Sequence, residues 1–190
     1  MVRPTRRQQI PQLQDAIKET AWRQIAETGA AALSLRSIAR ELGITAPAIY
    51  NYFADRDALV TALIVDAYTS LGESQIEAIA VLPEADLRAR FKALGLAYRE
   101  WAITHSQRYQ LIFGTPIPNY VAPDDVTFPA AAHAIVPLAT TIQALYSSGQ
   151  LRAERLTPMT PALKSMLEAW QKTKPADLEV LYLTIVVWSR

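Results

Sequence analysis

Side chains able to hold phosphate oxygens or base edges are concentrated between Arg36 and Arg56. Thr45, Tyr50 and Tyr52 offer hydroxyls, Asn51 an amide, and Arg36 and Arg56 guanidinium groups. Hydroxyls and cations of this kind hold phosphates, and a guanidinium can also bond a guanine edge. Interleaved with them are Ala46, Pro47 and Ala48, small enough to let a helix sink into a groove. A basic arm, Arg3, Arg6 and Arg7, precedes the set and could reach an adjacent minor groove. The chemistry on offer is contact with double-stranded DNA.

Catalytic chemistry has much less support. The two histidines, His105 and His133, have no metal-ligand companion at close spacing. No glycine-rich phosphate loop, nucleophile elbow or Ser-His-Asp pattern is present. Asp124 and Asp125 stand beside Pro123 and read as a helix start, not an acid/base pair. With no cysteine anywhere, disulfides and thiolate metal sites are excluded. We therefore expect no enzyme activity, no bound metal and no cofactor.

The elements that must position the DNA-facing set are helices. Apolar residues recur at steps of three and four, as in Leu35, Ile38, Ala39 and Leu42, and again in Val60, Leu63, Ile64 and Ala67. Leu87, Phe91, Leu94, Tyr98 and Trp101 form a third stripe, and no sustained period-two run occurs, so the expected fold is all-α. A first helix is expected over residues 12–28, stopped by Gly29. Ser34 caps a short second helix that Gly43 ends; Thr45 caps a third, with Pro47 in its first turn. Asp55 opens a long helix to about Ala80, and the break at residues 83–86 precedes another to about Thr104. Further helices are expected over 107–113, 128–148, 161–174 and 177–190. Two short helices joined by Gly43-Ile44-Thr45 have the glycine-containing turn of a helix-turn-helix. In it Ile44, Ile49 and Phe53 would face inward.

Bulk properties agree with a DNA reader joined to a different body. Residues 1–56 carry eight Lys/Arg against five Asp/Glu, and the remainder eleven against thirteen, so +3 is followed by −2 within a net charge of +1. Half the chain is hydrophobic (51%), enough for a sizeable core. No unbroken apolar run approaches the roughly 18 residues of a membrane span. The basic start has no apolar stretch after it, unlike a secretory signal. A cytoplasmic protein with no membrane association is expected.

Residues 10–64 resemble the DNA-binding domain of TetR-family regulators. The match runs through Ala26-Glu27-Thr28-Gly29, Ser34-Leu35-Arg36-Ser37-Ile38-Ala39, Gly43-Ile44-Thr45, Ile49-Tyr50-Asn51-Tyr52-Phe53 and Asp55-Arg56-Asp57-Ala58-Leu59. It departs from the family pattern at Asn51-Tyr52, where histidine commonly takes the second place, and at Arg56, where lysine is usual. The resemblance implies a helix-turn-helix domain over residues 1–56 and a helical ligand-binding and dimerisation domain over 57–190. It also implies a homodimer gripping a pseudo-palindromic operator, acting as a repressor and released by a small-molecule effector.

Residues 97–114 resemble a TetR subgroup that often carries Trp-x-x-His-Gly in its eighth helix. The present chain stops at Trp188-Ser189-Arg190, so further residues, including part of the dimer interface, are expected past that point. Tyr98, Trp101, His105, Tyr109 and Phe113 could line an apolar ligand cavity with a few polar handles. Equally, an aromatic stripe at helical spacing can be ordinary core. The irregular stretch over residues 114–123 is either a gate or a connector.

Overall fold

The computed structural model describes residues 6–151 together with 160, 161 and 165, and side chains from Gln12 onward. The described residues form seven α-helices and no strand, as the periodicity requires. They are α1 (Arg6–Thr28), α2 (Leu35–Glu41), α3 (Ala46–Tyr50), α4 (Arg56–Ala80), α5 (Leu87–Thr104), α6 (Ser106–Phe113) and α7 (Asp124–Ser147). A single 3-10 turn, Ala30–Ala32, follows α1. The helices expected over 161–174 and 177–190 lie outside the described residues.

Helix ends follow local chemistry. Gly29 stops α1 with φ +80°, a conformation that a side chain would strain. The Ser34 hydroxyl accepts from the Ser37 amide at 3.4 Å, Asp55 from the Ala58 amide at 2.7 Å, and Asp86 from the Ala89 amide at 3.0 Å. Two starts differ from the sequence expectation. The first helix begins at Arg6, ahead of Gln12, because Arg and Gln are good helix formers. The seventh begins ahead of Phe128, at the Asp124-Asp125 pair that the sequence itself marks as a helix start: its two acids complement the helix dipole, and Thr127 donates to the Pro123 carbonyl through both its amide (2.9 Å) and its hydroxyl (3.0 Å).

The described chain packs into two compact units. One takes the chain up to Ser70 together with Ala102–Ala131; the other takes Leu71–Trp101 and the described residues from Ala132 on. The first unit runs on past residue 56 into α4. The reason lies in the first half of α4, where Leu59, Val60 and Leu63 are fully buried in the core that also holds α1, α2 and α3. That core is built on Ile17, Ala21 and Ile25 of α1, one turn apart, meeting Leu35, Ile38, Ile49 and Phe53. Lys18 of α1 pairs with Asp66 of α4 at 2.8 Å.

In the second unit Ile79, Leu94, Leu138 and Ile142 form the apolar centre. Arg90 of α5 donates to the carbonyls of Ile79 (3.1 Å) and Leu82 (3.3 Å), satisfying the end of α4. Gln75 is buried and donates to the Ala134 carbonyl of α7 at 2.9 Å. Beside it Gly72 lets α4 lie close against α7, since a Cβ there would sit 2.5 Å from Cδ2 of His133. By length and composition α7 could cross a membrane, with a mean hydropathy of 1.3 over its most apolar window. Threonines and prolines interrupt its apolar residues, so no unbroken run betrays it in the sequence. Its Ala134, Leu138, Ile142 and Leu145 are buried, as in a core helix.

Candidate nucleic-acid interface

The surface is set by the turn between α2 and α3. The last amides around α2 bond backward, Leu42 to Ile38 at 3.0 Å and Ile44 to Ala39 at 2.9 Å, while Gly43 takes φ +66°. Only a residue without Cβ adopts that angle at little cost, so the chain reverses here. Ile44 packs on the core, and Thr45 enters an extended conformation (φ −75°, ψ 150°) as the residue before α3. Its carbonyl accepts from the Ala48 amide at 2.9 Å, but its hydroxyl makes no capping bond. Thr45 thus holds the cap position by backbone alone.

Ile49 is fully buried and Phe53 nearly so, which fixes the rotation of α3. Thr45, Ala46, Pro47, Tyr50 and Asn51 consequently face solvent, with Tyr50 44% exposed, and Arg36 of α2 is exposed as well. Ala48 is half-buried. Tyr52 is half-buried too, its ring against the core, so less of it faces outward than the sequence suggested.

Arg56 holds an unexpected position. Its Nη2 donates to the carbonyls of Ala30 (3.0 Å) and Ala31 (3.2 Å), and Nη1 lies 3.3 Å from Asp57 Oδ1. The guanidinium joins the 3-10 turn after α1 to the first turn of α4. No spacing rule in the sequence points to acceptors so far upstream. A second bridge supports α2: Arg23 of α1 donates to Thr20 Oγ1 and to Glu41, each at 2.9 Å. That guanidinium holds the exposed Glu41 carboxyl below the usual range, its hydrogen bond being the main cause and Gln24 adding a weaker one.

The five candidate ligand residues divide between the units. Tyr98 and Trp101 belong to the second, Tyr98 half-buried and Trp101 only 4% exposed. His105, Tyr109 and Phe113 belong to the first. There Tyr109 stacks at a tilt on Phe113 (5.1 Å), and Phe113 meets Tyr68 edge-on (6.0 Å). Burial raises the Tyr68 hydroxyl pKa. Among the five, His105 lines a described cavity, one of about 350 Å³ shared with Trp22 and Arg108, whose guanidinium lies 5.5 Å from the Trp22 ring centre. Burial chiefly, and the Arg108 charge second, lower the His105 pKa.

Two family models match this chain. Residues 17–63, covering the helix-turn-helix, match the bacterial regulatory proteins of the tetR family; residues 91–190 match the tetracyclin repressor-like C-terminal domain. The chain belongs to the TetR family. HTH-type transcriptional regulators of Mycobacterium tuberculosis and Mycobacterium bovis are each 37% identical over 185 residues, covering 97% of this chain and 79% of theirs. The crystal structure of SCO4313, described as a regulatory protein, superposes with a TM-score of 0.73 at 38% identity, covering 98% of this chain and 83% of that one. The fold is shared more widely: a TetR family transcription regulator of Marinobacter aquaeolei gives a TM-score of 0.64 at 15% identity, over 96% of this chain and 97% of its own. This TetR chain is accordingly a transcriptional regulator with a helix-turn-helix DNA-binding domain, and not an enzyme.

Proposed function

We propose that the protein is a ligand-responsive repressor that binds a pseudo-palindromic operator as a homodimer in the cytoplasm and is released by a small molecule. The observation that carries the DNA-facing half is the exposed strip of α3 over the buried Ile49 and Phe53. In this reading Ala46, Pro47 and Ala48 let α3 enter the major groove. Thr45 and Tyr50 hold phosphates, and Tyr52 adds its hydroxyl from the rim. Asn51 and Arg36 reach base edges, an amide suiting adenine and a guanidinium guanine. Arg56 steadies this surface from behind through Ala30 and Ala31, with any phosphate contact secondary.

Two copies would place two α3 helices about 34 Å apart, one turn of DNA, which requires a two-fold protein. A ligand favouring a different spacing would lower operator affinity by its difference in affinity for the two states. Tyr98, Trp101, His105, Tyr109 and Phe113 remain the proposed effector-responsive residues, with Trp101 mainly a packing residue.

The test selects bound fragments from the source organism's genomic DNA with the full protein. The expected product is a short inverted repeat protected as one dimer per site, with dimer mass in sedimentation. Tyr50→Phe should weaken specific and random DNA alike at an unchanged melting temperature. Recovery of no sequence preference, or a monomer at micromolar concentration on and off DNA, would defeat the proposal.

A further inference from the structure

We propose that a cleft in the first unit, between the end of α1 and α6, is a binding site for an uncharged small molecule bearing hydrogen-bonding groups. The cleft holds about 630 Å³, inside the range of about 300–1,000 Å³ typical of small-ligand sites. The space is built into the sequence. One wall is Gly29, Ala30 and Ala31, which carry almost no side chain, and the end wall begins at Gly114. A Cβ at Gly114 would overlap the Gln110 carbonyl oxygen, so that position cannot fill the gap without moving α6.

The far wall presents Gln107, Gln110 and Leu111, which share one face of α6 at steps of three and four. The two amides make no hydrogen bond to another described residue, and no ionisable side chain lines the cleft. Amide donors and acceptors beside Ile25 and Leu111 suit a neutral, partly apolar molecule and disfavour a charged one, whose desolvation nothing there would offset. The end wall is also held in place. Ile117 and Tyr120 pack on the core, and the Tyr120 hydroxyl lies 2.9 Å from Thr61 Oγ1 of α4. Residues 114–118 therefore act as a fixed side of a preformed site, not a gate or a bare connector.

The cleft shares none of its lining with the five residues assigned to effector response, so this inference goes beyond the proposed function. The Gly29–Ala31 wall has a structural consequence of its own: the carbonyls of Ala30 and Ala31 are those held by Arg56. A molecule seated there touches the same turn that fixes the start of α4.

The absence of cysteine makes site-directed tethering direct. Thr115→Cys places a thiol in the cleft, and Val81→Cys, at a position 84% exposed, serves as control. Each full-length variant is equilibrated with a benzamide-bearing thiol, or its carboxylate-bearing counterpart, against rising mercaptoethanol. The benzamide should persist at Thr115→Cys to about tenfold higher mercaptoethanol than at Val81→Cys, and the carboxylate should show no such preference. Adding Ala31→Trp, or Gln110→Trp if the first lowers the melting temperature, should abolish the advantage by filling the cleft. Equal retention at the two thiols, a stronger hold on the carboxylate, or an advantage that survives filling would overturn the proposal. None of these readings involves DNA, so failure of the repressor proposal would register separately.

Discussion

Removing Arg56 separates two roles that a cation at the start of α4 could play. Its Nη2 makes two bonds to backbone carbonyls, at 3.0 and 3.2 Å, and its side chain is 28% exposed. A hydrogen bond from a charged donor contributes about 1.5–3 kcal/mol when well formed. Water can replace part of this at a site open to solvent, so the pair together should be worth about 2 kcal/mol. For a chain of this size each kcal/mol moves the melting temperature by about 2–4 °C, so Arg56→Ala should melt about 4–8 °C lower. Arg56→Lys keeps the charge but offers no fork, and should recover less than half of that loss. The same variants titrated onto DNA across salt concentrations report the other role. A side chain that neutralises one phosphate contributes about 0.9 to the salt slope. We expect a large thermal effect with a slope change well below that value, for lysine and alanine alike. A melting temperature within about 1 °C of the parent, with the slope reduced by about 0.9 in Arg56→Ala and restored in Arg56→Lys, would refute the bracing role.

Gly72→Ala should cost about 1–3 kcal/mol in thermal unfolding, because the new methyl meets His133 of α7. Adding His133→Ala should restore only part of it, since the His133 carbonyl still stands 3.0 Å away; no restoration would place the clash elsewhere. Trp101→Ala should cost about 3–5 kcal/mol, as expected of a side chain 4% exposed, and a loss below about 1 kcal/mol would return Trp101 to a ligand-lining role. His105 should make stability depend on pH: its folded pKa lies below the ordinary value of about 6.5, so the unfolded chain binds more protons in that interval. Stability should be complete above about pH 6.5 and decline as pH falls through that value toward the folded one. Melting curves of His105→Gln should be flatter over this window, and identical profiles would remove His105 as the titrating group.

Much of the architecture could be read because its punctuation is local. Ser34 and Asp55 act on residues three positions away and Gly43 turns the chain at its own position, so both ends of α2 and the start of α4 follow from them. The outward strip on α3 was legible for the same reason, since Ile49 and Phe53 at a spacing of four fix which side turns in. Contacts between distant segments were not legible. Nothing near Arg56 in sequence announces the carbonyls of Ala30 and Ala31, because backbone acceptors leave no mark in residue type. The aromatic residues of α5 and α6 show the other limit. Periodicity shows that Tyr109 and Phe113 share a face, but not that Tyr68 would cover it, nor that Trp101 would be enclosed. The division into units was hidden likewise, since α4 continues without a break through the point where its partners change.

The five-residue length of α3 bears on the heat of DNA association. A helix that short has little tendency to persist alone, because forming its first turn costs more than its few bonds return. Here Pro47 presets its first turn and Ile49 and Phe53 anchor its far side, so its order is established before any DNA arrives. In the docking proposed above, α3 then undergoes no folding transition. The heat-capacity change of binding should accordingly match the apolar surface covered at the contact, without the large extra negative term that accompanies segments ordering on their target.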